Sequence, residues 1–352
     1  MHRFKVTTFK WILSIFASFI FVWIVSYFFA NSVALYDYDQ QVNKYILQPN
    51  SIVRERSEGW ARTEVGPYGT TGLFTDEYTD NPVLAIWGDS YIEGFNVSDQ
   101  AKAGAVITRY CNKTEKCDYV GMNIGMSGRS IADYYFAIPE YEDVFPQIVH
   151  HYIVIANFND ILPDKESAYF ARFVSSPELA MNKSTYKQTA PMLKQVLHTL
   201  KLDFVWHLAK KIYKKEFSFI PSFKQTERTD SSTARKSLSK IDKSWQFLLT
   251  KMAKITDKPL TFVYCPKVPV IDNNRIRFTD PDHDLAKKFE NMCKSNGFGF
   301  INLKDAFIDC FNKYKKFPRG FCNSRPSQGH MNAKGHSILA YTILHPNLAI
   351  LI

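Results

Sequence analysis

Five apolar runs punctuate the body of the chain, and their lengths and stops suggest strands. Residues 83–87 (Val-Leu-Ala-Ile-Trp) are continuous and end at Gly88. Residues 120–124 end at Gly125, residues 152–156 at Asn157 and residues 260–264 at Cys265-Pro266, with a weaker fifth run near 298–303. Unbroken runs, unlike alternating ones, predict strands covered on both faces. Between them, residues 101–110, 131–141, 283–295 and 333–344 carry helical spacing. Strand followed by helix, repeated, predicts an α/β domain on a parallel sheet with right-handed crossovers. In such sheets ligands gather at the carboxyl ends of the strands.

Two stretches depart from this rhythm. Residues 11–30 are apolar apart from Ser14, Ser18 and Ser26, about the 20 residues a membrane-crossing helix needs and longer than a usual secretory core. His2, Arg3, Lys5 and Lys10 precede the run and Asp37 and Asp39 follow it, so residues 1–10 are expected in the cytoplasm and the remainder outside. A cleavable signal ending near Ser32-Val33-Ala34 is the competing expectation. Residues 31–80 are polar and mixed and read as a stalk, with the α/β body at 81–349. Within that body, residues 165–257 read as a helical insertion, helical over 192–213 and 237–255, with a polar loop near 224–239.

Composition changes little. The 352 residues are 45% hydrophobic and 22% charged, ordinary for a globular protein, and the net charge of +10 comes without any nucleic-acid-binding motif. Lys210, Lys211, Lys214 and Lys215 cluster in a helical stretch, as either a solvated face or a patch for an anionic membrane surface. Six cysteines beyond the apolar segment would meet an oxidising compartment. Cys111 with Cys117 and Cys310 with Cys322 can close small loops. Cys265 and Cys293 form the remaining pair or stay as buried thiols. No zinc-like spacing occurs, and no metal or organic cofactor is expected. Asn96, Asn112 and Asn182 open glycosylation sequons.

The chemistry-bearing residues fall at the strand ends. Gly88-Asp89-Ser90 follows the first run, where a tight turn can raise a serine hydroxyl at the sheet edge. Gly128 and Arg129 follow the second run, and Asn159 and Asp160 the third, where a backbone N–H and a side-chain amide can face a developing oxyanion. Asn159 and Asp160 can equally be helix caps. His330 precedes the last helix and can take the serine proton; His336 reads as structural.

In that order, Gly88-Asp89-Ser90 with Gly94 and Val97, Ser127-Gly128-Arg129-Ser130, Asn157-Phe158-Asn159-Asp160 and Gly329 to His336 resemble the four blocks of the SGNH (GDSL-type) hydrolase family over roughly residues 66–348. The resemblance implies a flavodoxin-like three-layer α/β/α sandwich. It implies Ser90 as nucleophile, His330 as its base, and an oxyanion hole of the Ser90 and Gly128 N–H groups with the Asn159 amide. Asp89, Asp160 and Arg129 would support the site.

One position departs from the pattern. The family's aspartate two or three residues before the histidine is replaced by Ser327 and Gln328. A backbone carbonyl, or a distant acid such as Asp305 or Asp309, is the expected substitute; an inactive relative is the alternative. Three functions follow: hydrolysis of acyl esters, such as O-acetyl groups, on an extracytoplasmic glycan or lipid; O-acyl transfer to an envelope polysaccharide beside a membrane acyl carrier, with Arg129 facing an anionic glycan; and a non-catalytic envelope-binding protein.

Overall fold

A computed structural model describes residues 2–32, 34–75, 80–161, 171–173, 179–181, 192–213 and 238–346. The apolar runs become the strands of one parallel sheet: β1 (Val83–Gly88), β2 (Val120–Gly125), β3 (Ile148–Ile155), β4 (Leu260–Tyr264) and β5 (Gly299–Asn302), ordered β5-β4-β3-β1-β2. Every residue of β1, β2 and β4 is buried, as continuous runs require.

The helices are α1 (Ala103–Thr114), α2 (Ile131–Val144), α3 (Met192–Thr199), α4 (Asp203–Tyr213), α5 (Leu238–Met252), α6 (His283–Ser295), α7 (Lys304–Tyr314) and α8 (Ala333–Leu344). Strand periodicity divides them into two layers. Val83, Ala85 and Trp87 face a core built with α2, α5 and α6. Leu84 and Ile86 face a second core built with α1, α7 and α8. The result is an α/β/α sandwich: the parallel sheet is as the pattern predicted, and the three layers are as the resemblance implied. Helix α7 went unread in the sequence, although Ala306, Phe307, Cys310 and Phe311 bury one stripe of it. The helical pattern over 192–213 is two helices, interrupted around Leu200–Leu202.

The N-terminal helix, His2–Phe29, contains a 23-residue segment, Thr7–Phe29, in which an 18-residue stretch has mean hydropathy 2.3 and is only 6% buried. By length and composition it can cross a membrane.

Residues 36–65, expected within a stalk, fold as two hairpins: Tyr36–Asp39 with Lys44–Leu47, and Ile52–Glu55 with Ala61–Glu64. Val42 and Ile46 join the main core, so this segment is packed onto the sandwich. Four-residue strands are too short to announce themselves by periodicity. Cys111 and Cys117 are disulfide-bonded. Cys265, Cys293 and Cys310 are buried free thiols and Cys322 an exposed one, so the other two pairings considered are not made. The polar loop near 224–239 lies largely outside the described residues, as do Lys214, Lys215 and Asn182.

Candidate active site

Ser90 opens a helical turn, Ser90–Glu93, immediately after β1. Gly88 and Gly125 stand in register at the ends of β1 and β2, beneath that turn. A Cβ on Gly88 would lie 2.4 Å from Ile92 Cγ1, and one on Gly125 would lie 1.9 Å from the Glu93 nitrogen. These glycines let the serine's turn press against the sheet edge. Asp89 caps it, accepting the Tyr91 N–H at 2.9 Å.

His330 comes from the far end of the chain. Its Nε2 lies 2.8 Å from Ser90 Oγ, across 240 positions of sequence. The loop that delivers it is tied at several points. Two residues on, Asn332 caps α8, accepting the Lys334 and Gly335 N–H groups while donating to the Phe317 and Gly320 carbonyls. The Gly329 carbonyl accepts from Tyr91 Oη at 2.9 Å and from Arg319 at 2.7 Å, and Arg319 also reaches the Pro266 carbonyl beyond β4. The Tyr91 ring lies beside the imidazole, centroids 5.1 Å apart.

The imidazole's second nitrogen supplies the main correction to the sequence reading. Its partner is Glu58, in the turn of the second hairpin. Glu58 Oε2 lies 2.7 Å from His330 Nδ1, and Oε1 accepts the backbone N–H of the same residue at 2.8 Å. Asp305 and Asp309 are exposed on α7, where α7's buried stripe turns them outward. A carboxylate can only accept hydrogen bonds, so the Glu58 partnership assigns the imidazole proton to Nδ1 and leaves Nε2 to accept from the serine hydroxyl.

The turn carrying Glu58 is itself fastened. Glu55 Oε1 accepts the N–H groups of Arg56 and Ser57. Asn96 Nδ2 donates to the Glu58 carbonyl at 2.9 Å, and Asn323 bridges Arg56 and Gly59. Gly329 must be a glycine: its φ is +83°, and a Cβ would lie 2.1 Å from Glu58 Oε1.

Electrostatics follow the geometry. Burial disfavours charge on His330, but the hydrogen bond and charge of Glu58, with Asp89, leave its pKa above the ordinary histidine value. Burial would raise Glu58, yet the His330 bonds hold it below the usual carboxylate range. Burial raises Asp89. His336 is wholly buried and held neutral, pushed down to about 3.

The other expected residues are divided. Because β1 lies between β2 and β3, the loops bearing Gly128 and Asn159 flank Ser90 on either side. Both residues are exposed, and Gly128 has φ +82°. Ser127 Oγ is hydrogen-bonded to Glu93 Oε2, tying Gly128's loop to the serine's own turn. Glu93 is buried, which raises it to about 7, and no spacing in the sequence announces this tie. The side chain of Asp160 lies outside the described residues. Arg129 is only 3% exposed and donates to the Tyr45 carbonyl, so it does not face solvent to meet a glycan. Among the described residues no group of three His, Cys, Asp or Glu side chains is arranged to hold a metal.

Ser90, His330 and Glu58 thus form a continuous relay from hydroxyl to imidazole to carboxylate, able to make the serine a nucleophile. No family model matches the chain, and no curated protein matches it. Solved structures that resemble it include the acetyl xylan esterase AlAXEase (14% identity, TM-score 0.38, covering 76% of this chain and 100% of the other). Another is a catalytic mutant of the acetylxylan esterase Axe2 from Geobacillus stearothermophilus (14%, 0.37, 75% and 93%). A third is a two-domain esterase active on acetylated mannans (11%, 0.37, 77% and 50%). At those identities and TM-scores the activities so named are the neighbours' own; what this chain can do is read from its side chains.

Proposed function

We propose that the chain is a serine esterase of SGNH type that cleaves acyl esters, O-acetyl groups foremost, on an extracytoplasmic glycan or lipid. The observation that carries this is the relay Ser90 Oγ to His330 Nε2 at 2.8 Å and His330 Nδ1 to Glu58 Oε2 at 2.7 Å. Ser90 attacks the ester carbonyl carbon while its proton passes to Nε2, and Glu58 stabilises the imidazolium that forms. The tetrahedral intermediate collapses, and the alcohol leaves with that proton. Water, deprotonated by the same nitrogen, then releases the acid and restores the serine.

The oxyanion donors in this reading are the Ser90 and Gly128 N–H groups and the Asn159 amide. Ser90 supports this as the first residue of a helical turn, whose N–H has no acceptor four residues back. The strand order supports the other two, since their loops flank the serine. The apolar N-terminal helix is the membrane anchor, with the basic N-terminus in the cytoplasm and the catalytic domain outside.

Turnover of p-nitrophenyl acetate by the purified full chain, lost in Ser90→Ala, is the expected result; a Ser90→Ala protein of undiminished activity overturns the proposal. Failure of a fluorophosphonate to label Ser90 would favour the non-catalytic alternative. Gain of O-acetyl on envelope polysaccharide after deletion fits hydrolysis, whereas loss indicates O-acyl transfer, the reading that would require an acyl-carrier partner.

A further inference from the structure

The N-terminal helix is joined to the domain rather than standing clear of it. Ser26 is fully buried, and its hydroxyl accepts the Phe204 N–H at 3.1 Å. Just past the helix, the Asn31 carbonyl lies 2.9 Å from His207 Nε2. At about 1.5 Å of rise per residue, Ser26 lies roughly 4.5 Å short of Phe29, so α4 begins level with the last apolar turn. If the helix spans a bilayer, that is the depth at which hydrocarbon gives way to headgroups. Trp23 and Tyr27, stacked with centroids 5.7 Å apart, are the residue types that collect there.

At this same level α3 and α4 leave apolar stripes uncovered. Leu193, Val196 and Leu200 follow helical spacing along α3 and its end, and are 61%, 42% and 50% exposed. Val205 and Ile212, two turns apart on α4, are 37% and 59% exposed. A helix of a water-facing domain turns such a stripe toward the core. Here the stripes face outward beside the anchor, accompanied by Lys201 and Lys210, while Lys194 Nζ donates to the Ala34 carbonyl at 3.4 Å. Long basic side chains can lay their stems along apolar surface while their ammonium groups stay among headgroups.

We propose that α3 and α4 form a platform that lies on an anionic lipid bilayer, its apolar stripes in the interface and its lysines among the headgroups. The proposal rests on the reading that the N-terminal helix spans the membrane. Two observations select a bilayer over other occupants: α4 is hydrogen-bonded to Ser26 in the last turn of the apolar helix and to Asn31 just beyond it, and the charge of Lys201 and Lys210 is complementary to anionic lipid. The platform would hold the catalytic edge close to the membrane. A cleft between Phe29 and α4 is lined also by Arg56 and Ser57, which directly precede Glu58.

The test uses the full chain in nanodiscs of phosphatidylcholine with phosphatidylglycerol. Cys322→Ser removes the exposed thiol; Cys265, Cys293 and Cys310 are buried. Nitroxides are attached singly at Val205→Cys, Ile212→Cys, Ile20→Cys in the apolar helix, and Lys313→Cys on exposed α7. The expected result is that labels at 205 and 212 collide preferentially with oxygen, as at 20, while 313 favours a water-soluble nickel chelate. Lys201→Glu with Lys210→Glu should weaken that oxygen preference. Labels at 205 and 212 that behave like 313, while 20 behaves as lipid-exposed, overturn the platform. Labels shielded from both reagents also overturn it, because protein then covers the stripes. A water-exposed label at 20 removes the spanning reading and the platform with it.

Discussion

Glu58 gives both carboxylate oxygens to one residue, gripping His330 by its ring nitrogen and its backbone N–H. Orientation and charge stabilisation therefore come from one side chain. Glu58→Gln should lower kcat/KM by about 10³–10⁴-fold, the scale on which an amide in place of a triad carboxylate acts. Glu58 raises the His330 pKa, so losing its charge lets the imidazole deprotonate at lower pH. The acid limb of the pH–kcat/KM profile should move toward lower pH; a limb left in place would uncouple Glu58 from the base. Gly329→Ala forces a Cβ against Glu58 Oε1 in a left-handed backbone. It should cost about 1–2 kcal/mol in chemical denaturation and most of the esterase activity. Ser90 and His330 were legible in the sequence because each adjoins a strand end or the last helix. Glu58 was not, because no spacing rule links it to a histidine 272 positions away.

Among the elements, the sheet was the most legible part, because strands buried on both faces need continuous apolar runs and β1, β2 and β4 have them. The hairpins over 36–65 were not, since their burial depends on the sandwich they lean against. Packing within the layers sets the stability. Phe289 on α6 is fully buried, with its ring against Phe158, Trp245 and Phe262. Phe289→Ala should cost about 3–5 kcal/mol by denaturant midpoint, from lost burial and an unfilled cavity. The pH profile of the remaining folded enzyme should not change, since no atom of the relay touches that ring. The Cys111–Cys117 link closes a six-position loop between α1 and β2. Replacing both cysteines by alanine should destabilise the chain by about 2 kcal/mol on loop-closure grounds, with the same assay as the measure.

For the whole molecule, the relay joins three distant parts of the chain: a hairpin turn after the N-terminal helix, the end of the first sheet strand and the loop before the last helix. A chain beginning at residue 66 keeps all five strands but lacks both hairpins. It should be devoid of esterase turnover beyond a small residual rate, and be less stable through loss of Val42 and Ile46 from the core. Wild-type turnover by such a chain would remove Glu58 from the mechanism.

Glu58 precedes Ser90 in the chain, and His330 follows Ser90 by 240 positions. All five strands of the sheet precede His330, so during synthesis the proposed relay closes only after the whole sheet has been made. If the proposed esterase reading holds, a simple colour assay would report that the hairpin turn, the end of the first sheet strand and the loop before the last helix have met, and so would gauge folding.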